Sequence, residues 1–242
     1  VFYVLAFVAA IVQVRLLRKL PEASSPSTGR TLRDVWASLC LMARSPRTRV
    51  FVLFAVILHA GWYMGWQQFF VMQVHYMGAN EAWLSVITVT GTLLQWLMVR
   101  PWGRYIRKNG VRKALVMGAG GLFLSPLLTV AASCLPQSIQ LPGMVLFNLV
   151  NAVTFPAYQL SFFQATLEVL PEKQRNLNLS LFNALLLAVN TVSQLAGTGL
   201  YTALGGDYRA ITQAMLITTG VRAVGTILFA IYWWKLRDEP DA

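Results

Sequence analysis

Acidic side chains are what this sequence has least of. Nine Asp and Glu stand among 242 residues, against twenty Lys and Arg. All charged residues together make up 12%, where a water-soluble domain carries about 25%. With 56% hydrophobic residues and a mean hydropathy of +0.55, so few charges could not cover a surface facing water. The shortage excludes an ordinary soluble domain and points to a lipid bilayer as the solvent. There are only two cysteines, Cys40 and Cys134. They fall in segments expected on opposite sides of that bilayer, so they are expected to stay unpaired. The two histidines, His59 and His75, have no cysteine or histidine at metal-ligand spacing. No Ser/His/acid cluster is present either, so neither enzymatic chemistry, nor a metal, nor a cofactor is expected.

Long apolar runs are what the sequence has in plenty. Six of them, at about 50–72, 83–102, 114–135, 142–166, 178–203 and 210–234, are long enough to span. Continuous runs of this length favour helices over barrel strands, which would alternate over about 10 residues. A further run, VFYVLAFVAAIVQV, opens the chain. It is too short to cross alone and reads as the end of a preceding spanning helix. The expected fold is an all-α membrane protein: a six-helix transmembrane bundle over 50–236. A helix remnant at 1–17 and a cytoplasmic linker at 18–49 precede it, and a cytoplasmic tail at 237–242 follows.

Basic residues are concentrated in alternate connections. RPWGRYIRKNGVRK, residues 100–113, holds six Lys and Arg and no acid. The connections at 73–82 and 136–141 hold none. This alternation is the positive-inside pattern, so the basic turns are expected in the cytoplasm and the charge is not expected to bind nucleic acid. Within the linker, TLRDVWASLCLMARSP places Leu32, Val35, Trp36, Leu39 and Met42 at helical spacing, with Thr31 as a cap and Asp34 three residues on. An amphipathic helix on the inner membrane face is expected there, with Arg33, Arg44, Arg47 and Arg49 near lipid headgroups.

Three local patterns resemble the C-terminal six-helix half of a major facilitator superfamily transporter. WGRYIRKNGVRKAL (102–115) resembles the family's gating-loop pattern, with Gly103, Lys108, Gly110 and Arg112 in register. The family's Asp is Arg107 here, which places the gating role of this loop in doubt. Gly110 suits a tight turn and Gly103 a close helix approach. LEVLPEKQR (167–175) resembles the loop between the fourth and fifth helices of that half, and ARSPRTRVFVLF (43–54) its basic lead-in. The resemblance implies a missing N-terminal half of the same chain. It also implies a solute site near the midplane, faced by the first and fourth spans and flanked by the second and fifth.

Those spans carry polar stripes. The first has His59, Trp62, Tyr63, Trp66 and Gln67; the fourth has Asn148, Asn151, Phe155 and Gln159 on one face, with Tyr158 beside it. The second has Ser85, Thr88, Thr92 and Gln95, and the fifth Asn183, Asn190 and Gln194. Amides in hydrocarbon are costly unless paired, so these faces should point into the bundle or a wet cavity. They can equally serve as glue between helices. The third span has almost no polar side chain, which suits a lipid-facing position. Arg222 is the one charge deep in a span, with no Asp or Glu at that depth. The resemblance puts its helix at the periphery, and a structural role is expected, with a backbone carbonyl, a headgroup or the other half as partner. The expected function is secondary transport of a small organic solute across a bacterial-type cytoplasmic membrane. A non-transporting receptor on the same scaffold is the alternative.

Overall fold

The computed structural model describes residue 11 and residues 32–235, with side chains through Tyr232. The chain divides between Trp36 and Ala37 into two compact units. Of the first, only residue 11 and the opening turn of a helix, α1 (Leu32–Arg44), are described. The helix expected at 1–17, the linker up to Thr31 and the tail at 237–242 lie outside the described residues. Everything below concerns the second unit.

Six helices long and apolar enough to cross a membrane follow: α2 (Pro46–Val71), α3 (Glu81–Asn109), α4 (Val111–Ser133), α5 (Gln137–Val169), α6 (Arg175–Ala203) and α7 (Tyr208–Lys235). No strand occurs among the described residues. This is the architecture of a multi-pass helical membrane protein, and the six apolar runs gave it away. Three of these helices start where a side chain accepts from a free backbone amide. The Ser45 hydroxyl accepts from the Thr48 amide at 3.3 Å, with Pro46 in the first turn of α2. Asn80 caps α3 by accepting from the Trp83 amide at 3.1 Å. Asp207 accepts from the Ala210 amide at 2.7 Å at the start of α7. After Val71, α2 continues as a π-helical turn, Met72–Tyr76.

The basic stretch 100–113 is not an open loop. Helix α3 runs through it to Asn109, and Gly110 alone, at φ +86°, turns the chain into α4. Arg and Lys are good helix formers and complement the negative end of the helix dipole, so the helix continues after its apolar run ends. Gly110 makes the expected turn. Gly103 does not make the expected close approach, because a Cβ there would meet nothing within 4 Å. Its neighbour does the joining: Trp102 Nε1 donates to the Val153 carbonyl of α5 at 2.6 Å.

The main helix pairs are α2 with α6, α2 with α7, α4 with α7, α4 with α5, and α3 with α5. Exchanging α2, α3 and α4 for α5, α6 and α7 maps this set onto itself. Three spans per repeat also reverse direction, so α2 leaves the end of the bundle bearing the basic turns while α5 returns to it. Helices α2 and α5, at the centre of this pattern, keep their backbones apart and meet mainly through large side chains.

The third span is not the lipid-facing one. In α4, 44% of the spanning stretch is buried, against 11% in α3. Its lack of polar groups reflects close packing instead. A Cβ on Gly118 would collide with the backbone of Tyr158, and one on Gly121 with Thr154. Small residues let α4 and α5 approach to backbone contact.

At the basic end, the turn after α5 is tied down from three helices. Thr48 Oγ1 donates to the Val169 carbonyl at 2.9 Å, and Asn178 Nδ2 donates to the Pro171 and Lys173 carbonyls at 3.0 and 2.9 Å. Ser38 of α1 donates to Gln174 Oε1 at 2.6 Å, while Met42 enters the core. Gln174 itself sits at φ 59°, the left-handed region.

Candidate functional site

The gap between α2 and α5 holds two cavities. One, of about 360 Å³, lies toward the neutral end. Trp66, Phe69 and Gln73 of α2, Asn148, Asn151 and Phe155 of α5, Gln95 of α3 and Ser125 of α4 are in its wall. The other, of about 450 Å³, lies toward the basic end, among His59 and Tyr63 of α2, Tyr158 and Gln159 of α5, and Asn183 and Asn190 of α6. Trp62 lines both.

Trp62 is held there by aromatic neighbours. Its ring meets Phe155 edge-on with centroids 5.6 Å apart, and Tyr158 edge-on at 5.9 Å. Phe155 belongs to the neutral-end cavity and Tyr158 to the basic-end one, so the three rings form the partition between them. Edge-to-face packing of this kind is favourable and fixes ring orientation. Tyr63 stacks on Trp66, with centroids 6.2 Å apart and planes 11° from parallel. His59 is buried, and its Nδ1 lies 2.8 Å from the Ala55 carbonyl. That oxygen can only accept, so Nδ1 is the donor. The Tyr158 hydroxyl approaches the same Nδ1 at 3.4 Å, a weak contact beside the first.

The amides divide between the two roles the sequence allowed. Asn148 Nδ2 donates to the Ile87 carbonyl at 3.1 Å, joining α5 to α3. Gly91 makes room for it, since a Cβ there would lie 2.7 Å from Asn148 Nδ2. Asn151 Oδ1 and Asn190 Oδ1 are buried without a hydrogen-bond partner, each beside a cavity. Gln159 and Asn183 are exposed at the basic-end cavity. Gln67 is exposed and lines neither cavity; Ser85, Thr88 and Thr92 are exposed on α3. Lys108 and Gly110 are exposed at the basic end, and Arg112 is half-buried there beside Glu168 and Arg47.

Arg222 is not at the periphery. It is fully buried and borders the neutral-end cavity. Its Nε donates to the Gly61 carbonyl at 2.9 Å and its Nη2 to the Trp62 carbonyl at 2.8 Å. Its Nη1 donates to the Leu122 carbonyl at 2.8 Å and the Ser125 hydroxyl at 2.7 Å. Phe69 lies under the guanidinium with its centroid 5.4 Å away. The berth is cut by two glycines: a Cβ on Gly65 would strike Nη2, and one on Gly61 would meet Cγ at 3.0 Å. Gly61, Gly65, Phe69, Gln73 and Ser125 are the site residues that the polar stripes did not reveal. Glycines four apart in an apolar run were the available signal for the berth.

Among the described residues, no three His, Cys, Asp or Glu side chains gather where a metal ion could sit. No protein-family profile matches this chain, and no curated protein matches its sequence.

Proposed function

We propose that the chain is half of a secondary transporter of the major facilitator type, moving a small organic solute by alternating access. The observation that carries the reading is the pair of cavities meeting at Trp62. A carrier needs a central site reachable from either face, with a barrier that relocates rather than a channel that stays open. Two vestibules of 360 and 450 Å³, on opposite sides of one aromatic partition, supply that arrangement. The exchange symmetry of the helix pairs supports it, because inverted three-helix repeats are a device of such folds. In this reading a second six-helix half covers the open faces of α3 and α6, the basic turns lie in the cytoplasm, and α1 lies along that surface.

The test is reconstitution of the full-length protein in liposomes with a broad panel of organic solutes. Saturable uptake, lost in Trp62→Ala and kept in Trp62→Phe, is expected. Tight binding with no flux for any solute would replace the carrier by a receptor on the same scaffold.

A further inference from the structure

The buried guanidinium of Arg222 has neutral acceptors only. Its four hydrogen bonds go to three carbonyls and one hydroxyl. Those carbonyls sit inside α2 and α4, where the helix already supplies each with an amide. None of the four groups carries charge. The described acids of the bundle, Glu81, Glu168, Glu172 and Asp207, all stand at helix ends or in turns, not at the depth of Arg222. Arginine cannot give up its proton, so the positive charge persists. An ion buried without a counter-charge weakens a fold unless something else requires it. The wall beside it is a cavity large enough for an organic solute.

We propose that the neutral-end cavity selects an amphipathic organic anion, with the fixed charge of Arg222 attracting its carboxylate and the rings of Trp62 and Phe155 receiving its apolar body. The guanidinium borders the cavity but is fully buried, and its N–H groups are taken by Gly61, Trp62, Leu122 and Ser125, so it acts on the ligand through its field. At a distance of several ångströms in a partly desolvated site, one unbalanced charge is enough to separate ligands of opposite charge by tenfold or more. The Asn151 carbonyl oxygen, buried without a partner at the same wall, accepts a hydroxyl or amine donor on the same solute. Solutes carrying both a carboxylate and such a donor fit best. This inference rests on the transport reading and names its substrate class.

The test uses three ligands of one skeleton: 4-phenylbutanoate, 4-phenylbutanamide and 4-phenylbutylamine. Binding to the full-length protein in lipid is measured by thermal shift, alongside uptake of the broad solute panel. The carboxylate is expected to bind at least ~10-fold more tightly than the amide, and the amine not at all. In Arg222→Met, which keeps the bulk of the stem, the preference for carboxylate over amide is expected to vanish. Equal binding of carboxylate and amide, preference for the amine, or an unchanged preference in Arg222→Met overturns the anion assignment. So does an absence of binding by all three. In each case continued uptake of other solutes keeps the carrier, while loss of all uptake by folded wild-type protein removes the carrier itself. If Arg222→Met does not fold, the comparison of the three ligands on the wild type decides alone.

Discussion

Helices α4 and α6 are both apolar enough to cross a membrane, yet they occupy opposite situations. In α4, 44% of the spanning stretch is buried, and in α6 only 17%. The buried helix is the one with fewer polar side chains; the exposed one carries Asn183, Asn190 and Gln194. A water-soluble bundle also hides its apolar faces and shows its polar ones, but there the driving force is the exclusion of water. In lipid, apolar burial drives nothing by itself, so close packing is won by small residues such as Gly118 and Gly121. Amides are tolerated where something wet or polar faces them. The packed side of the molecule (α4, α7 and the adjoining face of α2) is therefore built for shape. The open side (α3, α6 and the cavity faces of α2 and α5) is built for contact with something else.

If that division holds, the largest losses of stability come from the packed side. Arg222→Ala empties the berth formed by Gly61 and Gly65 and is expected to destabilise by about 3 kcal/mol in thermal unfolding in lipid. Arg222→Met refills most of that space with an adaptable unbranched side chain and should recover at least half of the loss. The pair separates volume from charge. Should Met prove as damaging as Ala, the hydrogen bonds to Gly61, Trp62, Leu122 and Ser125 are structural in themselves, and the packed side depends on polarity as well as shape.

Glycines sharpen the comparison within one helix. Gly118→Ala forces a Cβ against the backbone of Tyr158, which cannot swing aside, and is expected to cost about 1–3 kcal/mol. Gly120→Ala, two residues on, places its Cβ in open space and should be neutral or stabilising by up to ~1 kcal/mol through helix propensity. Equal effects at the two positions would mean that α4 does not pack by its small face. Unfolding midpoints of the two variants, measured side by side, decide this.

The same contrast explains what could be read in advance. Six spans were legible because twenty apolar residues in a row have few alternatives in a chain this poor in charge. The end of α3 was not, since Arg104, Arg107 and Lys108 look like a loop once the apolar run stops, although a helix leaving a membrane gains from basic residues in its last turn. The place of α4 was not legible either, because an absence of polar side chains suits lipid and tight packing equally. Only the spacing of its glycines tells them apart. Of the polar stripes, His59, Trp62, Tyr63, Trp66, Asn148, Asn151, Phe155, Tyr158 and Gln159 line one cavity or the other, and Gln67 lines neither. Arg222 stood out as the one charge deep in a span, with a backbone carbonyl among its expected partners; its place against α2 and α4 was not legible, because three of its four acceptors are backbone carbonyls, which no residue type announces.

The open side should show the opposite sensitivity. Gln159→Ala and Asn183→Ala remove exposed amides that make no contact needed for packing, on helices joined to the bundle by other residues. Their unfolding is expected to stay within about 0.5 kcal/mol of the wild type. Uptake should nevertheless fall by about tenfold, as expected for the loss of one hydrogen bond to a desolvated solute. The two measurements have to be made on the same preparations, because only their divergence is informative. A variant that unfolds early and transports poorly would place Gln159 or Asn183 among the helix-joining amides, with Asn148. One that unfolds normally and transports normally would leave the basic-end cavity without a part in solute contact, and the aromatic partition at Trp62 would then mark the floor of a single working cavity.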